Sequence, residues 1–338
     1  MPPRSGSRCP RRRKAGEAYR SEARYANLEY YAATPMPAVE ITDVTKTFGE
    51  VTAVDDLSLT VPEGSVFGFI GPNGSGKTTT LRMIVNIFYP DRGQIRVLGH
   101  EMSGARNHLI GYLPEERGLY RKMQVRPLLE FFGELRGGRK VTREVAAWLV
   151  RLDLAHCATR RVDTLSKGMS QRVQFIAAVV PEPRLLILDE PFTGLDPVSA
   201  DVLREAILDL RRRGATVILS THDMTVAETM CDHICMIFRG RKVLDGTLAS
   251  IQDQYSNDTI RVSVGGGPAV LDGLPGVERV RDLGQVQELR MALGCDPHEV
   301  LRALVERTRV TSFSVAKPSL HDIFVRIAGP AAEEVELA

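Results

Sequence analysis

A mainly parallel α/β sheet wrapped by helices, followed by a small α+β unit, is the fold predicted for this chain. Three observations lead there. Short β-rich runs alternate with helical stretches from residue 39 to about residue 250, a glycine-rich loop lies between a strand and a helix, and the texture changes after Ser250. A length of 338 residues, 43% hydrophobic and 25% charged, accommodates one large and one small folding unit.

The first 35 residues carry a basic cluster, Arg11, Arg12, Arg13 and Lys14, with no apolar stretch behind it. That excludes a secretory signal and predicts either a disordered extension or a start placed ahead of Met36. The runs over 39–48, 51–61 and 65–71 read as a small antiparallel region entering a central strand. A helix is expected over 77–88, ending before Pro90, and residues 94–100 are again strand-like. Helices over 126–136 and 141–152 form an insertion, and strands over 185–188 and 216–220 flank a helix over 197–213. Beyond Ser250, residues 259–264, 277–283 and 286–293 alternate like exposed-edge strands. An amphipathic helix over 296–308 and a strand over 310–316 follow.

Lys plus Arg total 44 against 42 for Asp plus Glu, so no nucleic-acid partner is expected from charge. No window reaches the run of about 18 apolar residues needed to span a bilayer. The five cysteines include no CxxC pair. Cys231 and Cys235, the closest two, read as reduced, packed thiols rather than metal ligands.

Gly71, Asn73, Gly74, Ser75, Gly76, Lys77 and Thr78 fit G-x-x-x-x-G-K-[ST], followed by Thr79. Glycines at these positions let successive backbone N–H groups converge on phosphate oxygens at a positive helix end. Lys77 adds a charge for the β and γ phosphates, and the Thr78 hydroxyl suits Mg²⁺. The apolar strand ending in Asp189 and Glu190 delivers two acids where ligands bind in open α/β sheets. Asp189 can hold magnesium through water, and Glu190 can orient and polarise the attacking water. The motifs fit a P-loop NTPase that uses a nucleoside triphosphate with Mg²⁺.

Their order over residues 37–248 resembles the ABC ATPase family, which implies that the nucleotide is ATP. Leu165, Ser166, Lys167, Gly168, Met169 and Ser170 are similar to the family's LSGGQ signature, with Lys167 and Met169 departing from it. Ser166 and Gly168 retain a hydroxyl and an unhindered helix N-terminus, which bare of context is also an ordinary cap. The resemblance implies that this segment contacts ATP held by another subunit, giving a head-to-tail homodimer around two ATPs. Asp196, in Gly194-Leu195-Asp196-Pro197, resembles the interface-crossing loop, and His222 resembles the switch histidine; Phe48 takes the place of the adenine-stacking aromatic. Without the resemblance, His222 reads as structural and Phe48 as core.

Glu115 stands where the family normally carries Gln as a magnesium ligand. Residues 111–120, the signature and residues 318–324 are similar to a subgroup that includes sodium-extruding and drug-exporting systems. Its members pair a cytosolic ATPase with separate membrane permease subunits. The expected organisation is an extension over 1–35, an ATP-binding domain over 36–250 with antiparallel β and helical subdomains, a small α+β domain over 251–330 and a tail over 331–338. One cassette, without zinc cysteines or long coiled coils, counts against translation and DNA-repair relatives. The expectation is a transporter ATPase, on the export side, held at the cytoplasmic face by its permeases.

Overall fold

The computed structural model describes residues 36–101, 108–116, 118–255, 259–292 and 294–329, so the expected segments 1–35 and 331–338 lie outside the described residues. Strands β1 (Val39–Phe48) and β2 (Val51–Val61) form an antiparallel hairpin. They are joined by β4 (Arg92–Val97) and β5 (His100–Glu101) in a sheet of order β2-β1-β4-β5. The second sheet contains β3 (Val66–Ile70), β6 (Ile110–Leu113), β7 (Leu185–Asp189), β8 (Thr216–Thr221), β9 (His233–Phe238) and β10 (Arg241–Gly246). Its order is β10-β9-β3-β8-β7-β6, parallel apart from the β9–β10 pair.

Successive side chains on a strand point to opposite faces, so a strand covered on both sides must be apolar throughout. The strand β7 meets that condition. Leu186 and Leu188 enter a core with residues of α2 (Val125–Gly137), α3 (Thr142–Arg151), α4 (Lys167–Val179) and α5 (Pro197–Arg212). Leu185 and Ile187 enter the opposite core, with Leu59 and Ile95 of the antiparallel sheet and Leu81 of α1 (Lys77–Ile84). Helices α2 to α5 thus cover one face of β7, and α1 with the antiparallel sheet covers the other. The register sets Ile70 beside Thr221 and Asp189 beside Ser220, which brings the loops after β3, β7 and β8 to one edge.

Two expected elements differ in extent. The helix predicted over 77–88 stops at Ile84, because Asn86 adopts φ 63°. Ile87 N then donates to Arg82 O and Asn86 N to Met83 O, a Schellman closure that satisfies the helix carbonyls before the apolar run is exhausted. The strand read over 94–100 breaks at Leu98, φ 51°, into β4 and β5.

After α6 (Met224–Met230) and α7 (Leu248–Tyr255) comes a third sheet, of β11 (Thr259–Val264), β12 (Val277–Asp282), β13 (Gln287–Met291) and β14 (Val310–Val315). The order β12-β13-β11-β14 makes β11 and β13 interior strands rather than the edges their alternation implied. Their apolar side chains, Ile260, Val262, Leu289 and Met291, pack with Val300 and Leu304 of α8 (Pro297–Arg307), leaving the other face polar. The position 250/251, at which the last domain was expected to begin, falls inside α7.

The final helix, α9 (Leu320–Ala328), turns back. Leu320, Ile323 and Phe324 share a core with Ile70, Ala227, Ile234 and Met236, and the Phe324 ring stands edge-on to Phe238 at 5.7 Å. At its N-terminus Ser319 and Asp322 form a capping box, and the Leu320 N–H donates to Glu228 of α6 at 2.5 Å.

Candidate functional site

Strand β3 runs fully buried into the loop 71–76, whose shape only glycine tolerates at two critical points. Gly71 has φ 149°, and a Cβ there would lie 2.2 Å from Ile237 O; at Gly76, φ 108°, it would lie 2.3 Å from Ala53 O. Gly76 caps α1 without a side-chain acceptor, and the first turn holds no acidic residue. The first-turn amides and the positive end of the helix dipole therefore remain available to an anion.

Lys77 is 6% exposed. Its ammonium donates to Gly71 O at 2.6 Å and Pro72 O at 3.1 Å, and stands 3.8 Å from Glu190 Oε1. Burial pushes the Lys77 pKa below the usual lysine range, opposed by the charges of Glu190, Asp189 and Glu115.

Asp189 ends β7 wholly buried. Its Oδ1 accepts from Ser220 Oγ at 2.5 Å and Thr78 Oγ1 at 3.2 Å, while its Oδ2 has no hydrogen-bond partner. Leaving a buried carboxylate oxygen unsatisfied is costly, so this donor set fits a hard cation or its water. Glu190 takes the left-handed conformation, φ 49°, with its amide donating to Ser220 Oγ at 3.1 Å. The same Oε1 that faces Lys77 lies 3.0 Å from His222 Nδ1, and Oε2 accepts from Thr193 Oγ1 at 3.4 Å. Strand β8 supplies both Ser220 and, one residue beyond its end, His222.

These groups surround a recess of about 260 Å³ lined by Asn73, Gly74, Ser75, Gly76, Lys77, Thr78, Thr79, Glu115 and Glu190, with Ala53 from β2. The other predicted residues stand elsewhere. Phe48 does not line the recess; its ring is edge-on to Phe88 at 5.3 Å with the Lys46 ammonium 5.4 Å from its centroid. Ser166 caps α4, its Oγ accepting from Met169 N at 3.2 Å, and a Cβ on Gly168 would meet Leu195 at 3.3 Å. Asp196 caps α5 by accepting from Ser199 N and Oγ, bonds that hold its carboxyl below the usual range. Within one chain Ser166 and Asp196 are helix caps and Gly168 sits near Leu195, and none of the three lines the recess. Cys231 and Cys235 are free thiols, with burial raising the Cys231 pKa to about 12.

Sequence reading missed Ser220, Gln171 and Gln174. Gln171 Nε2 donates to Pro191 O at 3.3 Å, and Gln174 Nε2 to Pro114 O and Glu116 O at 3.2 and 3.1 Å. Helix α4 is thereby tied to the loops that carry Glu190 and Glu115. It also missed an aromatic cluster of Tyr120, Phe131 and Phe132, with Tyr120 56% exposed, beside a groove lined by Leu119, Phe132 and Gln174. Two adjacent aromatics on an insertion helix were the available signal.

A family model described as ABC transporter matches residues 54–193, and one described as ATP-binding protein DrrA1-3-like, C-terminal domain, matches residues 246–328. The chain is 38% identical over 291 residues to an uncharacterized ABC transporter ATP-binding protein, YhaQ, of Bacillus subtilis, covering 86% of this chain and 98% of that protein. To Nod factor export ATP-binding protein I of Rhizobium sp. (strain N33) it is 37% identical over 300 residues, covering 86% and 97%. A solved ATP-binding subunit of an ABC transporter superposes with TM-score 0.61 at 29% identity, over 64% of this chain and 93% of that one. A nucleotide-free ABC cassette, at 23% identity and TM-score 0.58, shares the fold. With the phosphate-binding loop, the paired acids and relatives matched along nearly their whole length, the chain belongs to the ABC transporter family as an ATP-binding subunit whose ATPase activity is coupled to transport.

Proposed function

We propose that two copies of this chain close around two Mg-ATP molecules and that hydrolysis lets them separate, driving separate permease subunits between access states in an exporter. The observation that carries this reading is the convergence on Glu190: Lys77 and His222 bracket one carboxylate oxygen, 3.8 and 3.0 Å away. Glu190 orients water against the γ-phosphate and accepts its proton, His222 holds the carboxylate in line, and Lys77 carries phosphate charge. Thr78, Asp189 and Glu115 would hold the magnesium, which would offset phosphate charge when bound. Phe48 would stack on adenine from the β1–β2 hairpin. Export is supported by the Nod factor export relatives; their cargo is not carried over.

Ser166, Gly168 and Asp196 lie outside the recess of their own chain, which supports a role for them at the nucleotide of the partner copy. Gly168→Asp places a carboxylate at the helix end that meets that γ-phosphate. Hydrolysis should fall about a hundredfold, comparable to losing one charge-stabilising group, while nucleotide affinity of the single chain stays near wild type. Equal loss of binding and turnover would mean that the α4 N-terminus serves its own site. The permease is proposed to dock on the Tyr120, Phe131 and Phe132 cluster, which Gln174 links to the Glu115 loop.

Glu115 brings a further negative charge to a recess already lined by Glu190, with Asp189 buried close enough to act on Lys77. A carboxylate is a stronger ligand for a hard cation than an amide, but raises the cost of closing without metal. Glu115→Gln should preserve hydrolysis and make ATP-induced dimerisation less dependent on magnesium concentration. Superimposable magnesium titrations of dimerisation would place Glu115 away from the metal.

A further inference from the structure

The groove beside the aromatic cluster, of about 160 Å³, is lined by α2, α4 and the loop after β6. Phe132 and Arg136, one turn apart on α2, line it together with Gln174, Ala177 and Ala178 of α4. Small-molecule sites run to about 300–1,000 Å³, so this groove takes a protruding side chain rather than a free ligand. Phe131 and Leu135, each one residue before a lining residue, are exposed, and so is Tyr120, stacked on Phe132. Exposed apolar side chains gathered at a groove mark a surface for a macromolecular partner.

Arg136 is the cation in that lining. It is half-buried and has neither a hydrogen-bond nor a carboxylate partner among the described residues. Arg139, Arg151 and Arg161, from the same helical region, each hold a carboxylate. Two ordinary explanations fall short. The C-terminal turn of α2 attracts a cation, but that attraction does not require the cation to be buried. An arginine whose stem merely covers apolar surface keeps its charged head in water, whereas burial lowers the Arg136 pKa and no acid offsets it. A charge taken from water without a partner is costly, and a carboxylate set against it reverses the sign.

We propose that the permease segment seated in this groove carries a carboxylate that pairs with Arg136, flanked by apolar side chains that cover Phe131 and Leu135. The inference rests on the docking proposed above and supplies its chemistry: an apolar stretch interrupted by one Asp or Glu. A guanidinium fork takes both oxygens of such a group, and the apolar contacts around it exclude water from the pair. The same segment touches Gln174, whose amide holds the carbonyls of Pro114 and Glu116, so the pairing is made next to the anchor of the Glu115 loop.

The test replaces Leu135 by the photocrosslinker p-benzoylphenylalanine in the full chain, produced in its own host, and identifies the linked peptides by mass spectrometry after irradiation. The expected product is a multi-span membrane protein joined through a segment with an Asp or Glu within one helical turn of the linked residue. Arg136→Gln in the same chain should lower the yield about tenfold or more, and Arg136→Lys less, with affinity for an ATP analogue unchanged. Arg136→Glu should abolish the product, and exchanging the partner's acid for Lys should restore it. If Arg136→Gln also lowers the melting temperature, that charge exchange decides. A linked segment without an acid, a yield that Arg136→Gln leaves unchanged, or a charge exchange that restores nothing overturns the pairing while the docking reading stands. Absence of any linked membrane protein, with the photocrosslinker at position 135 and again at position 131, overturns both.

Discussion

Glu190→Gln should lower the rate of ATP hydrolysis by about 10²–10⁴-fold, the usual contribution of a positioned general base, while leaving nucleotide affinity at or above the wild-type value. The amide matches the carboxylate in shape, so Thr193 Oγ1 and His222 Nδ1 keep a partner at the present 3.4 and 3.0 Å. What disappears is the capacity to accept a proton and one negative charge 3.8 Å from the Lys77 ammonium. Losing that charge frees Lys77 for phosphate and reduces repulsion with the triphosphate. Single-turnover hydrolysis beside equilibrium binding of a fluorescent ATP analogue separates the two effects. If the variant turns over normally while His222→Ala does not, the base is His222, whose side chain is 53% exposed and already touches the site.

Lys77→Ala should have the opposite signature. Charge-assisted hydrogen bonds contribute about 1.5–3 kcal/mol each, so removing the ammonium proposed to serve the β and γ phosphates should weaken ATP binding about a hundredfold or more. The loop loses the ammonium's bonds to Gly71 O and Pro72 O, but the close backbone packing at Gly71 and Gly76 should keep its shape. Glu190 would also lose its nearest cation in a site where it is 7% exposed, which adds to the repulsion of an incoming triphosphate. Calorimetric titration with Mg-ATP, checked against an unchanged melting temperature, measures this. Wild-type affinity in the variant would mean that the backbone cradle alone holds the phosphates.

Much of the site was legible because its chemistry is local in sequence. A loop that needs glycine at Gly71 and Gly76, and Asp189 with Glu190 at the end of an all-apolar strand, are visible without coordinates. What stayed hidden depends on residues that meet only through strand order. Ser220 reaches Asp189 across 31 positions because β8 lies beside β7, and a serine at a strand end carries no sign of that duty. Gln174 is one polar position of α4, and nothing local in the sequence marks that it holds the Glu115 loop 58 and 60 positions away.

The elements show the same division. Alternation located each strand of the third sheet but not its neighbours, so β11 and β13 resembled edges until pairing enclosed them. Asn86 ended α1 early by adopting φ 63°, a local choice that outweighed the apolar residues beyond it. Helix α9 had a readable start, since Ser319 and Asp322 have capping spacing. Its packing with Ile70 and Met236 was not readable, because it requires the chain to return across the C-terminal sheet.

The most direct measurement is the mass in solution of Glu190→Gln, by light scattering after size exclusion, with and without Mg-ATP. An ATP-hydrolysing dimer predicts a mass near that of one 37.3 kDa chain without nucleotide and about twice that with Mg-ATP. Adding Gly168→Asp to the same chain should return the mass to that of the monomer. A single mass that ignores nucleotide, or a dimer that forms equally well with Gly168→Asp, would contradict closure of two copies around shared ATP sites.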